Sequence, residues 1–140
     1  MILWDVNLWI YAFRKDSPLH AESREEIETG MALGEGFLFT PHVAASFLRL
    51  VTNPTIFVHP SGPAEAWEFI DYLESHPNAK FGDIDGMTFG IFKHICLVHR
   101  MAGNEVPDAL LAAVAIRYDA QFVTADSGFK RFKSLRLKLL

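Results

Sequence analysis

Three aspartates of this 140-residue chain stand where secondary-structure elements begin or end, which is where a folded sheet gathers side chains. Asp5 closes the apolar run Met1-Ile-Leu-Trp4, Asp126 lies just past Gln121-Phe-Val-Thr124, and Asp108 follows Pro107 at the head of a helical stretch. If the first two runs are neighbouring parallel strands, Asp5 and Asp126 meet at the carboxyl edge of the sheet, the edge at which open α/β folds bind ligands. Asp108 reaches the same edge from its helix start. Three gathered carboxylates repel, and one would take up a proton unless a cation intervened. A hard, oxygen-preferring ion such as Mg²⁺ or Mn²⁺ suits such a set. A metal held there activates water and offsets charge on a phosphate, so the chemistry implied is metal-assisted hydrolysis of a phosphodiester.

The element that positions Asp108 spans Val106-Pro-Asp-Ala-Leu-Leu-Ala-Ala-Val-Ala-Ile-Arg117. Pro107 suits a first helical position because its missing N–H would lack an intrahelical partner there. A carboxylate at Asp108 is favoured by the positive end of the helix dipole. Ala109, Ala112, Ala113 and Ala115 allow close packing on a sheet. Phe37–Thr40 reads as another buried strand, Ala79–Phe81 as a short one, and Leu135–Leu139 alternates like an edge strand. Between them, helices are expected from Ser17-Pro18 to about Leu33, from Pro41 to Val51, and from Ala64 to Ser75. A further helix spans Asp85 to His99, with Phe89, Phe92, Cys96 and Val98 inward. Ser127 to Phe132 is a helical turn. Strands alternating with helices specify one domain over residues 1–140, a three-layer α/β/α sandwich around a mainly parallel sheet.

Composition narrows the function classes. Half of the residues are apolar, as in ordinary globular domains, and no apolar run approaches the roughly 18–20 residues of a membrane span. The acidic chain start lacks the basic region of a secretory signal, and the lone Cys96 forms no internal disulfide; a cytoplasmic protein is expected. No glycine-rich phosphate loop, zinc-spaced histidine set or nucleophile elbow occurs. The net charge is −4, yet Lys130, Arg131, Lys133, Arg136 and Lys138 crowd the C-terminus, a patch that could hold phosphates.

Four segments resemble the signature segments of the VapC-type PIN-domain toxins. They are Asp5-Val-Asn7-Leu-Trp-Ile-Tyr-Ala, Phe47-Leu-Arg49-Leu-Val-Thr-Asn-Pro54, Gly103-Asn-Glu-Val-Pro-Asp108-Ala-Leu-Leu-Ala-Ala and Val123-Thr-Ala-Asp126-Ser-Gly-Phe-Lys-Arg-Phe132. They occur in the family's order and spacing, across essentially the entire chain. The resemblance implies a small ribonuclease using Mg²⁺ or Mn²⁺, paired with a VapB-type antitoxin and assembling as a homodimer. It carries the metal-site acids over to Asp5, Asp108 and Asp126, with Asn7, Thr124 and Asn104 at polar positions near them. Arg49, Lys130, Arg131 and Lys133 are then the residues expected to engage RNA phosphates. Trp67, Phe69 and Ile70 offer one helix more apolar surface than a sheet face needs, consistent with a dimer.

The chain departs from the pattern twice. Ser46 stands where many members place a Glu, and Gly128 where others place a further Asp. With fewer carboxylates the site has a weaker hold on cations, one metal rather than two, and Ser46 joins Asn7 and Thr124 as a residue that orients ligands or water. The alternative reading is a PIN-like module that binds RNA or antitoxin with little or no cleavage.

Overall fold

Strands of only three or four residues suffice for the sheet, because its three central members, Ile2–Trp4, Phe37–Phe39 and Gln121–Thr124, are largely buried, mainly apolar runs covered on both faces, flanked by the more exposed edge strands Ala79–Phe81 and Arg136–Leu139. A computed structural model describes residues 1–140. The strands β1 (Ile2–Trp4), β2 (Phe37–Phe39), β3 (Ala79–Phe81), β4 (Gln121–Thr124) and β5 (Arg136–Leu139) lie in the order β3-β2-β1-β4-β5. Every neighbouring pair is parallel. Six helices flank them: α1 (Val6–Phe13), α2 (His20–Ala32), α3 (Pro41–Val51), α4 (Pro63–Glu74), α5 (Gly86–Val98) and α6 (Val106–Arg117). α1 packs on α2 and α3, and α5 lies along α6, giving the α/β/α sandwich that the alternation of elements specifies.

The order of the strands decides where a site forms. The chain leaves β1 towards β2 and β3, but β4 and β5 add on β1's other side, so the connections diverge beyond the carboxyl ends of β1 and β4. The register pairs Leu3 with Phe122 and Trp4 with Val123. One residue further on, Asp5 donates its N–H to the Val123 carbonyl at 2.9 Å, which sets Asp5 beside Thr124.

The core beneath this edge is aromatic. Trp4 and Phe37 have ring centroids 4.9 Å apart, and Phe122 and Phe129 4.7 Å apart. Gly30 lets α2 lie on Trp4: a Cβ there would sit 2.5 Å from the indole Cζ2. The four α6 alanines are wholly buried, so the helix rests close on the sheet.

Several boundaries and faces differ from expectation. α2 starts at His20, not at Ser17-Pro18, because Ser17 Oγ accepts the Leu19 N–H at 3.2 Å and shapes the preceding turn. Leu33 lies past that helix and is exposed. Pro107 is the second residue of α6, since a 3-10 turn at Gly103–Glu105 feeds directly into Val106. In α5 the buried residues are Thr88 and Ile95, while Phe89 and Val98 are 58% and 61% exposed. Phe92 and Cys96 are half-buried. This helix is apolar almost all round, so its pattern marks no single stripe. Its rotation follows instead from Asp85, which caps Thr88 N–H at 2.8 Å and pairs with Arg117 of α6 at 3.1 Å.

Candidate metal centre at the switch in the sheet

β1 delivers Asp5 into the interior, where only 4% of the residue is exposed. A carboxylate so placed needs donors. Thr124, the last residue of β4, donates its hydroxyl to Asp5 Oδ2 at 2.6 Å. The Thr124 hydroxyl oxygen itself accepts from Asn7 Nδ2 at 3.0 Å and from the Asp126 N–H at 3.0 Å. A threonine hydroxyl has one donor and two acceptor positions, so Thr124 is saturated, and it ties β1, α1 and the β4 exit together. Burial pushes the Asp5 carboxyl up to about 6, the Thr124 bond opposes that rise, and the charges of Asp108 and Asp126 add to it.

Asp108 and Asp126 complete the edge from two further elements. Asp108 sits in the first turn of α6, half-buried, and pairs with Arg131 Nη2 at 2.9 Å. Its pKa is raised by burial, with the Arg131 charge opposing and the charges of Asp126 and Glu105 reinforcing the rise. Asp126 is exposed and caps the 3-10 turn Ser127–Arg131, accepting the Gly128 N–H at 2.7 Å. The three aspartates therefore share one edge closely enough to feel each other's charge.

The donor set fits a hard divalent cation: all three are carboxylates, and the buried one is uncomfortable as an anion. The side chains do not close into a cage by themselves, for no three acid, imidazole or thiol groups in the chain converge on one point. Two of the aspartates are instead turned to protein donors, Asp108 to Arg131 and Asp126 to Gly128. Both lie at element ends, Asp108 in the first turn of α6 and Asp126 at the exit of β4.

The other expected residues divide. Asn7 and Thr124 belong to the hydrogen-bonded centre. Ser46 is half-buried on α3, on the helical face it shares with His42 and Arg49. Arg49, Lys130 and Lys133 are exposed and make no ion pair, whereas Asn104 is exposed on the 3-10 turn and makes no side-chain hydrogen bond. Much of the C-terminal basic run is matched to the chain's own acids: Arg136 to Asp119 at 3.4 Å and Lys138 to Glu26 at 2.6 Å. Arg131 spans Asp108 and Glu105, a pairing that its position in the sequence does not signal.

The largest groove, about 750 Å³, lies elsewhere, between Arg14, Asp16, His59 and the start of α4. Arg14 accounts for it structurally: it stacks on Phe57, pairs with Asp16 and holds the His59 carbonyl. None of the three aspartates lines it.

Comparison with known proteins identifies the family and agrees with the fold. The PIN-domain family model matches residues 2–135. Ribonuclease VapC43 of Mycobacterium tuberculosis is 35% identical over 136 residues, covering 97% of this chain and 92% of the relative. Ribonuclease VapC31 of the same organism is 34% identical over 136 residues, with 97% and 96% covered. Among solved structures, VapBC2 from Rickettsia felis, bound to a promoter DNA fragment, superposes with TM-score 0.74 at 19% identity, covering 99% of this chain and 98% of that one. VapC20 of Mycobacterium tuberculosis, a sarcin-ricin loop cleaving toxin, gives 0.73 at 12% identity with 99% of each chain covered. At such identities the superpositions speak for the fold.

Proposed function

This chain belongs to the PIN-domain family, with VapC ribonucleases as relatives along nearly its whole length, and we propose that it is a divalent-metal-dependent endoribonuclease, the toxin of a toxin–antitoxin pair. What supports the reading is that Asp5, Asp108 and Asp126 lie at the carboxyl edge by the switch between β1 and β4, near enough for each to feel the others' charge. Asp5, Asp108 and Asp126 would hold Mg²⁺ or Mn²⁺. When bound, the ion supplies a water of lowered pKa and neutralises charge on the scissile phosphate.

The chain's own residues do the rest. Thr124 donates to the Asp5 carboxylate and Asn7 donates to Thr124, so the two hold Asp5 through one hydroxyl. Asp108 and Asp126 are less buried, and from the start of α6 and the β4 exit they would turn towards the same ion. Arg49, Lys130 and Lys133 are unpaired cations available to RNA phosphates, and such contacts position a strand without reading its sequence. Ser46 and Asn104 are polar neighbours that the family resemblance puts beside the site.

A VapB-type antitoxin and a second copy of the chain are the partners proposed. The Rickettsia felis neighbour is a VapBC protein, and so is VapBC-1 of Haemophilus influenzae, which superposes with TM-score 0.66. No helix is long and apolar enough to cross a membrane, and a cytoplasmic location suits the lone thiol. Ser46 and Gly128, which stand where relatives of this type carry acids, favour one second reading: a module that binds RNA or antitoxin but scarcely cleaves. Incubating the pure chain with structured RNA and Mn²⁺, with EDTA and Asp5→Asn as controls, separates the two. Cleavage lost in both controls supports the nuclease; intact RNA at every metal concentration removes it.

A further inference from the structure

Arg131, which the sequence assigns to RNA phosphates, is instead paired to acids of the chain itself at the acid edge. Its Nη2 meets Asp108 Oδ2 at 2.9 Å and its Nη1 meets Glu105 Oε1 at 3.3 Å. The guanidinium lies 4.9 Å from the centroid of the Phe132 ring. Phe132 is itself buried and meets Phe129 edge-on at 5.7 Å, and Phe129 stacks on Phe122 of β4. A chain of aromatic contacts thus runs from the sheet to the arginine. Its Nε is buried and has no acceptor, so the group is not a solvated tail that happens to touch an acid. Arginine keeps its charge at all ordinary pH, and its planar fork is pre-organised to bridge two carboxylates.

We propose that Arg131 is the built-in counter-ion of the acid edge, competing with a divalent cation for Asp108 and so setting how tightly that cation is held. The inference rests on the reading that Asp5, Asp108 and Asp126 form a metal site. Arg131 bridges Asp108 and Glu105 and is the cation paired to the acids of this edge. A cation that takes Asp108 Oδ2 displaces Arg131 Nη2, and one on the other oxygen still meets the arginine's charge close by, while the contact to Glu105 can persist and keep the arginine in place. The 3-10 turn thereby couples the metal affinity of the site to the position of residues 127–132. Arg131 is on this account a positioning residue, and its effect is visible in metal binding without any turnover.

The test is calorimetric titration of the metal-stripped full chain with Mn²⁺, for wild type, Arg131→Gln, Arg131→Lys, Asp108→Asn and the Arg131→Gln/Asp108→Asn pair. Removing an opposed charge at this distance should tighten Mn²⁺ about tenfold in Arg131→Gln. Arg131→Lys keeps the charge but loses the fork, and should tighten it less, by about threefold. The gain should vanish in the double variant, because Asp108 is what Arg131 contests. If Arg131→Gln does not fold without metal, Arg131→Lys carries the comparison alone. A folded Arg131 variant that binds Mn²⁺ no better than wild type overturns the proposal. Loss of binding in Asp108→Asn alongside unmoved Arg131 variants would defeat the proposal and leave the metal site standing. An unchanged affinity in Asp108→Asn would defeat both.

Discussion

The hydroxyl of Thr124 donates a 2.6 Å hydrogen bond to Asp5 Oδ2, across 119 positions of sequence. Both residues are buried, and the parallel register of β1 and β4 puts them side by side. Thr124→Val removes that donor and strands the Asn7 and Asp126 groups that bond to the same oxygen. Leaving such groups unpaired costs roughly 1–3 kcal/mol, so denaturant unfolding should show a loss of that size. RNA cleavage should fall at least about tenfold, since each factor of ten corresponds to only about 1.4 kcal/mol in the barrier. Thr124→Ser keeps the hydroxyl and should stay close to wild type in both. Equal stability and activity in Val and Ser variants would mean that the hydroxyl does not organise the site.

A second expectation concerns pH. The Asp5 carboxyl titrates at about 6 in the folded protein and near 3.8 in an unfolded chain, with burial the main cause. The folded state then binds the extra proton between those values. The associated stability is fully present below the unfolded value and is lost as pH rises through about 6. A shift of this size corresponds to on the order of 3 kcal/mol. In EDTA, wild type should lose melting temperature between about pH 4 and about pH 6, and Asp5→Asn should lack that component of the slope. Mn²⁺ should reverse the trend, because it binds the deprotonated form. Parallel slopes for the two proteins in EDTA would contradict it.

How far the sequence revealed this arrangement depended on the kind of signal. β1, β2 and β4 were legible because a strand buried on both faces is a continuous apolar run, and the ends of two such runs mark where Asp5 and Asp126 emerge. The face of α5 was not legible, because Met87, Phe89, Phe92, Leu97 and Val98 surround the helix and leave its rotation to contacts made far away in sequence. Nor was the Arg131–Asp108 pair. It joins residues 23 apart through a 3-10 turn, where neither helical nor strand periodicity reports which side chains meet. Composition suggested a basic patch at the C-terminus; pairing of Arg131, Arg136 and Lys138 with nearby acids leaves a smaller one.

Ser46 offers a gain-of-function test. It is half-buried on the α3 face that also carries His42 and Arg49, at the position where the family resemblance leads one to expect a Glu. Ser46→Glu adds a carboxylate, which should tighten Mn²⁺ binding severalfold and shift cleavage to lower metal concentrations. Titration giving the wild-type affinity would mean that residue 46 does not face the aspartates.

Assembly should depend on α5 more than on α4. Ile70 is buried and Phe69 partly so, which leaves Trp67 as the outward aromatic of the expected α4 patch. On α5, Leu97 is 69% and Met87 65% exposed, in addition to Phe89 and Val98. Apolar surface of this kind, left uncovered, marks a site of association. A symmetric dimer is expected in solution, and the double variant Leu97→Asp/Val98→Asp should give monomers by light scattering with an unchanged circular dichroism spectrum. A wild type that stays monomeric at every accessible concentration excludes the dimer.

Asp108→Asn puts the site itself at risk, because this carboxylate has two separable effects. As a charge in the first turn of α6 it stabilises the helix by about 0.3–1 kcal/mol, and its partly exposed pairing with Arg131 adds an amount in the same small range. Against these stands its repulsion by Asp126 and Glu105, which the substitution relieves. The terms oppose one another, so the variant should fold, with a metal-free stability within about 1 kcal/mol of wild type. Asparagine preserves the shape and can still accept a bond from Arg131. What it cannot do is offer a charged oxygen to a cation, so RNA cleavage should fall at least a hundredfold, about 2.7 kcal/mol in the barrier, and excess Mn²⁺ should restore only part of it. Melting curves in EDTA and single-turnover cleavage with Mn²⁺ read the two effects separately. An unfolded variant would make Asp108 a structural cap, and a fully active one would place the chemistry elsewhere on the chain.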